Sequence, residues 1–240
     1  VTELKQVSVI VGVNLARRND EQDATMTASA RARSNGNGGG TLAADELGSS
    51  AQRDRRKRIL DATLALASKG GYDAVQMRTV AERADVALGT LYRYFPSKIH
   101  LLVSAMAREL GRVQERTARL SLPGDSPYDR LSFILSRITK AMQRDPQLTE
   151  AMTRAFMFAD ASAAAEVDTV GRLMDAMIAR AMTDEEPTEE QLAVARVISD
   201  VWMANLVAWV TRRASASDVA NRLELTMGLL LGHRTPTAAS

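Results

Sequence analysis

The chain has 240 residues, 45% of them apolar, enough for one or two domains with a real core. It has no cysteine, which removes disulfides and thiolate metal sites, and its aromatics amount to 4%, so the core is expected to be helical and rich in Ala, Leu and Met. The net charge of +2 conceals an asymmetry: residues 51–120 carry 14 Lys and Arg against 7 Asp and Glu, while residues 121–240 carry 12 against 16. A basic segment ahead of an acidic body is the footprint of a protein that meets phosphates at one end. The longest apolar run, Val201 to Val210, is interrupted by Asn205 and falls short of the ~20 residues a membrane span needs. The run Val7 to Val13 lacks the basic flank of a signal peptide. These features point to a cytoplasmic protein without a membrane partner.

Residues 1–50 read as a disordered N-terminal tail, because Asn35-Gly-Asn-Gly-Gly-Gly40 and the surrounding Ser and Ala bury too little surface to order themselves. The glycines lack the strand, Lys and Ser/Thr of a phosphate loop. Val1 in first place leaves Met26 as an alternative start. From Ala51 to Lys69, Ile59, Leu60, Ala62, Leu64 and Leu66 form one apolar stripe, and Gly70-Gly71 ends the helix. Arg53-Asp-Arg-Arg-Lys-Arg58 then lies at a helix N-terminus, where the macrodipole disfavours cations; phosphate contact and a plain solvated entry both fit.

Two short helices follow. Val80, Ala81 and Ala84 give the first, over Arg78–Ala84, its buried face, and Asp85 suits the left-handed turn that ends it. Leu91 and Phe95 give the second, over Leu88–Tyr94, an inner face, and Pro96 stops it. Two such helices around a tight turn, with exposed polar residues opening the second, make a DNA-reading helix-turn-helix. A fourth helix, Ser97 to Leu120, joins this module to the rest, and Leu122-Pro-Gly-Asp-Ser-Pro127 is a clear boundary. Helical periodicity then covers Tyr128–Arg144, Pro146–Asp160, Ser162–Met182, Thr188–Arg213 and Ser217–Leu231, with Pro146 and Pro187 in first turns, Thr188-Glu-Glu-Gln191 as a capping box and Thr235–Ser240 as a fraying tail. No strand is convincing. The expected architecture is all-α: a helix-turn-helix domain over 51–98 and a larger helical body over 99–234.

Within the body, Met142, Met152, Phe156, Met157, Met174, Met177, Trp202, Met203 and Trp209 either pack the core or line an adaptable apolar cavity; as a group beside a basic module they favour the cavity. The last two helices, with Leu206, Leu223, Leu225 and Leu230, are too apolar for free surface. Only His100 and His233 are present, neither in a triad-like or ligand-spaced setting, so catalysis, metal and cofactor have nothing to rest on.

Gly89-Thr-Leu-Tyr-Arg-Tyr-Phe-Pro-Ser-Lys98, preceded by Arg78-Thr-Val-Ala-Glu-Arg-Ala84 and Ile59-Leu-Asp-Ala62, resembles the TetR family of bacterial transcription regulators. Asp85 stands where that family has a turn glycine, Ala87 for a capping Ser, Leu88 for a polar residue and Ala67 for a core aromatic. By matching position, the resemblance implies that Arg78 reaches a base edge and that Leu88, Gly89 and Tyr92 face the major groove. It places Thr90, Arg93, Tyr94 and Lys98 in a phosphate clamp, although Tyr94 reads equally as a packed aromatic. It further implies a homodimer joined through its final helices, reading a palindromic operator in double-stranded DNA. Ala155-Phe-Met-Phe-Ala-Asp160 and the large apolar body resemble the steroid-catabolism repressors of that family, which implies a steroid or CoA-thioester effector; Arg154, Arg172 and Arg180 are candidate cations for a CoA group. Two other classes fit: a ligand-independent activator or architectural DNA-binding protein, and a small all-α binding or catalytic protein.

Overall fold

The computed structural model describes residues 42–232, with side chains from Ser50 onward. The calls on residues 1–41, His233 and Thr235–Ser240 lie outside the described residues. Nine α-helices and one 3₁₀ turn make up the described chain: α1 Leu42–Ala74, α2 Met77–Arg83, α3 Leu88–Tyr94, α4 Lys98–Thr117, α5 Pro127–Arg144, α6 Pro146–Met157, a turn at Ala161–Ala163, α7 Ala164–Met182, α8 Glu189–Val210 and α9 Ala216–Leu230. No strand occurs among the described residues.

The helix bounds follow the chain's punctuation. Ser126 and Asp129 form a reciprocal capping box on α5, with Pro127 in its first turn, and Thr188 with Gln191 does the same for α8. Pro187 therefore lies just ahead of the cap, outside the helix. Ser215 and Asp218 cap α9 in the same manner, a pairing the apolar periodicity passes over. Asp145 accepts from the Leu148 amide to start α6.

Helix α1 differs from expectation at its start. Its backbone is already helical at Leu42, so the tail boundary at residue 50 falls inside a helix, and Arg53–Arg58 sits within it rather than at its N-terminus. The macrodipole argument for those cations therefore does not apply. At the other end Gly70-Gly71 closes the regular helix as expected: Gly70 (φ −152°, ψ 23°) and Gly71 (φ 67°, ψ −160°) leave helical geometry and kink the chain into a further turn that runs to Ala74.

The core begins where α1 meets α2. Ile59, Leu60 and Ala67 are wholly buried beside Val80, Ala81 and Leu91; small Ala67 suffices where an aromatic was expected. Helix α4 is the spine of the molecule, with Leu101, Leu102, Val103 and Ala105 inaccessible to solvent, and it packs against α1, α6 and α7. Helices α5, α7, α8 and α9 complete the body by pairwise packing. Helix α8 is the one described helix long and apolar enough to cross a membrane, yet Ile198 and Trp202 on it are core residues. Only 33% of its apolar window is buried.

Candidate nucleic-acid interface and its link to the body

Helix α3 divides into two faces. Leu91 and Phe95 point inward and are buried, which stabilises the module by roughly 1.5–3 kcal/mol each. Leu88, Gly89, Tyr92 and Arg93 are exposed, at the spacing that puts them on the opposite side. Asp85 does adopt the left-handed conformation (φ 52°) that turns the chain between α2 and α3. Ala87, which stands for a capping Ser, supplies no side-chain hydrogen bond. Nothing lies within 4 Å of a Cβ added at Gly89, so the outer surface of α3 is open there.

Arg78 lies on α2 with its side chain 83% exposed, and its ion pair to Glu82, at 3.9 Å, is also exposed. Such a pair is worth about 0–1 kcal/mol, so a base edge could displace it at little cost. Thr90 and Tyr94 are half-buried, and the Tyr94 ring lies 6.3 Å from that of Phe95.

The basic stretch of α1 has a structural role that local sequence hides. Arg58 Nε donates to the carbonyl of Ala84 at the end of α2 (3.2 Å), placing a cation where the helix dipole favours one. The Arg56 guanidinium lies 5.6 Å from the centre of the Phe95 ring. Arg53 and Lys57 remain exposed.

Lys98 is not free at the surface. Its ammonium lies 3.7 Å from the centre of the Tyr72 ring, and the Arg154 guanidinium lies 4.6 Å from the same ring. Burial holds the Lys98 ammonium below its ordinary range; Asp73 and Glu150 act against the fall, and Arg154 adds to it. Tyr72 is thus a half-buried platform for two cations. Its amide donates to Glu150 on α6 (3.2 Å), so the bend after α1 is seated directly on the body.

Two further contacts fasten the module to the body. Arg108 on α4 pairs with Asp61 on α1 at 2.8 Å and donates to the carbonyl of Lys57. His100, buried at the start of α4, sits 2.9 Å from Ser97 Oγ and 3.0 Å from the carbonyl of Ser162. A carbonyl only accepts, so Nε2 carries the proton there. Neither histidine nor arginine contact was foreseen, because each spans a sequence separation that periodicity cannot see.

The apolar residues proposed for a ligand cavity differ in burial. Met174, Met177 and Trp202 are buried in the core; Met142, Met152, Phe156, Met203 and Trp209 are half-buried against it; Met157 is 45% exposed. Of the nine, Met177 alone borders one of the described clefts, a crevice of about 130 Å³ between the ends of α4 and α7 that Arg180 also lines. Arg180 pairs with Glu186 (3.0 Å), Arg172 donates to Thr169 on the surface, and Arg154 is engaged at Tyr72. Trp202 Nε1 and Ser199 Oγ are buried on α8 without a hydrogen-bond partner, a state that costs about 1–3 kcal/mol per group.

Residues 59–105 match the family model described as bacterial regulatory proteins, tetR family, and residues 124–230 match the tetracyclin repressor-like C-terminal domain. The HTH-type transcriptional repressor KstR of Rhodococcus jostii (strain RHA1) is 76% identical over 192 residues, which span 80% of this chain and 90% of that protein. A solved TetR transcriptional regulator from Rhodococcus sp. RHA1 superposes with a TM-score of 0.68 at 35% identity, covering 76% of this chain and 97% of that one. A repressor from Thermus thermophilus, FadR, solved in complex with lauroyl-CoA, shares the fold at a TM-score of 0.55 and 21% identity, covering 77% of this chain and 98% of that one. With both domains matched and a relative so similar over most of its length, the chain belongs to the TetR family of bacterial transcriptional regulators, among its KstR-type repressors.

Proposed function

We propose that this chain is a ligand-released repressor of lipid-catabolism genes, sterol degradation among them, that reads a palindromic operator as a homodimer. The carrying observation is the exposed row Leu88, Gly89, Tyr92 and Arg93 on α3, with Arg78 beside it on α2 and no carboxylate but Glu82 held against it. In this reading Arg78 donates to a guanine edge, Leu88 and Tyr92 contact thymine methyls, and Gly89 admits the backbone close to the groove. Thr90, Arg93 and Tyr94 hold phosphates, whereas Lys98 reaches one only by leaving Tyr72. The bare apolar face of α8 and α9, including Leu225 and Leu229, is the surface a second copy covers. Two modules then stand about one helical turn of DNA apart.

The similarity to KstR repressors, and to a fold relative solved with lauroyl-CoA, supports an apolar effector of the steroid or acyl-CoA class held in the body. Such a ligand releases DNA only if it binds the DNA-incompetent conformation more tightly. Met177, where α4 and α7 converge, is the predicted residue best placed for that contact. The test is capture of genomic fragments on the purified protein at moderate salt, with Arg78→Ala/Tyr92→Ala as control. A palindrome recovered with the native protein and lost with the variant is expected, beside genes of lipid breakdown. Uniform recovery of fragments would mean electrostatic binding only and would end the repressor reading.

A further inference from the structure

His100 is buried in the first turn of α4, with a partner on each ring nitrogen. Nδ1 meets the hydroxyl of Ser97, the residue that caps α4, and Nε2 donates to the carbonyl of Ser162 in the turn that leads into α7. In the neutral ring Nδ1 then accepts from the Ser97 hydroxyl, which itself accepts from the His100 amide at 3.4 Å. Helix cap, imidazole and carbonyl form one continuous line of hydrogen bonds. Its far end is held firmly. The Asp160 carboxylate accepts from the Ser162 amide (2.9 Å) and hydroxyl (2.6 Å), the Asp160 carbonyl accepts from the Ala163 amide (3.0 Å), and Ala163 is wholly buried. Its near end adjoins the DNA-facing helix: Phe95 and Pro96 alone separate Tyr94, the last residue of α3, from Ser97. Phe95 is buried and Pro96 has a fixed φ, so α3 follows the direction of the first turn of α4.

We infer that His100 is a positioning residue for operator reading: by tying the cap of α4 to the turn between α6 and α7, it sets the angle at which α3 is presented. The inference rests on the operator reading above, and in it the imidazole touches neither base nor phosphate. Its two hydrogen bonds do different things. The bond to Ser97 spans three residues and belongs to the helix end, whereas the bond to Ser162 spans 62 and joins α4 to the body. Loss of the second leaves α4 folded, because Leu101, Leu102, Val103 and Ala105 remain buried, but it frees the first turn to pivot. Hydrogen bonds to base edges weaken steeply as their angle departs from linear. Attraction to phosphates depends on charge and salt and tolerates a change of angle. A freed α3 therefore loses sequence-specific grip and keeps its general affinity for DNA.

The experiment measures Kd by fluorescence anisotropy, with full-length protein at fixed salt, for two duplexes: one carrying the palindrome recovered by genomic capture and one with that sequence scrambled. Calorimetry supplies Tm for each protein. His100→Gln carries an amide N–H to where Nε2 stands and keeps a donor for Ser162, while His100→Asn sets its oxygen near Nδ1 and keeps only Ser97. The Asn variant loses about tenfold in affinity for the palindrome, through one hydrogen bond in each protomer, and binds the scrambled duplex as native protein does. The Gln variant stays within about threefold of native. Asp160→Ala leaves the imidazole in place but loosens the turn, and shifts palindrome affinity in the same direction as His100→Asn. Native affinity for the palindrome in the Asn variant overturns the inference and leaves operator reading intact. A loss shared equally by the Gln variant, or equal on both duplexes, overturns it too, since general loosening of the fold produces either. Native protein that does not distinguish the duplexes overturns the operator reading and the inference together. Should His100→Asn melt early, Asp160→Ala decides, and an unchanged ratio of its two affinities overturns the positioning role.

Discussion

The bend in α1 gives the sharpest quantitative test of the structure. Gly71 has φ 67° and ψ −160°, a combination essentially closed to residues with a Cβ and costing of the order of 1–3 kcal/mol when forced. A Cβ there would meet Glu150 Oε2 at 3.2 Å, the same oxygen that accepts the Tyr72 amide. Gly71→Ala therefore strains the backbone and disturbs a hydrogen bond to a charged acceptor, for a combined loss of about 2–4 kcal/mol. In a chain of this size each kcal/mol lowers Tm by roughly 2–4 °C, so a fall of about 4–16 °C is expected by calorimetry at fixed protein concentration. Gly171→Ala is the control: it lies inside α7 at ordinary φ with open space around it, so stability holds or rises by about 0.5–1 kcal/mol. If Gly71→Ala melted within a degree of native protein, α1 would not make this bend in solution and the seat on α6 would have to be abandoned.

Three other outcomes follow from the same structure. Ser199→Ala removes a buried hydroxyl that has no partner, so denaturant melts should show no loss or a gain of up to about 1 kcal/mol; a loss beyond that would reveal a partner for the hydroxyl. Hydrogen bonds from the Ser215 hydroxyl and amide hold the Asp218 carboxyl below its ordinary range, so the folded state binds that proton less readily than the unfolded. Its contribution is present above the ordinary carboxylate range and fades as pH falls through the lowered folded value; Asp218→Asn should flatten that acid limb of a Tm-against-pH curve, and an unaltered limb counts against the cap. Leu225→Glu with Leu229→Glu places charge on side chains 61% and 75% exposed in one protomer, so sedimentation should show dissociation to monomers if α9 is covered by a second copy; a persisting dimer moves the interface elsewhere.

The helix-turn-helix was legible because its determinants are local. Leu91 and Phe95 repeat at helical spacing, Pro96 stops the helix, and Asp85 accepts a left-handed turn, so α3 falls at Leu88–Tyr94 as its residues indicate. The body helices were legible for the same reason, since Pro146 and the Thr188–Gln191 box act within a few residues of themselves. What local pattern lacks is partnership across the chain. Arg58 binds a carbonyl 26 residues away and Tyr72 a carboxylate 78 residues away. Nothing in the runs around Lys98 or Arg154 indicates that both converge on one tyrosine ring. Methionine is ambiguous in a different manner: it fills cores and lines cavities with equal ease, so the sequence pattern leaves both roles open for Met174 and Trp202, which are buried.

The seat at Tyr72 and the bridge from Asp61 to Arg108 together constrain how the DNA-reading module can travel. A body pinned at one point can tumble in three ways, but one pinned at two separated points can only swing about the line between them. Together with the packing of α1 on α6 and α4, these contacts restrict how α3 repositions, and an effector need only supply displacement within that range. Loss of either contact loosens that restriction. The module then samples many orientations, and the entropy of those orientations weakens grip on the operator and blunts the response to ligand together.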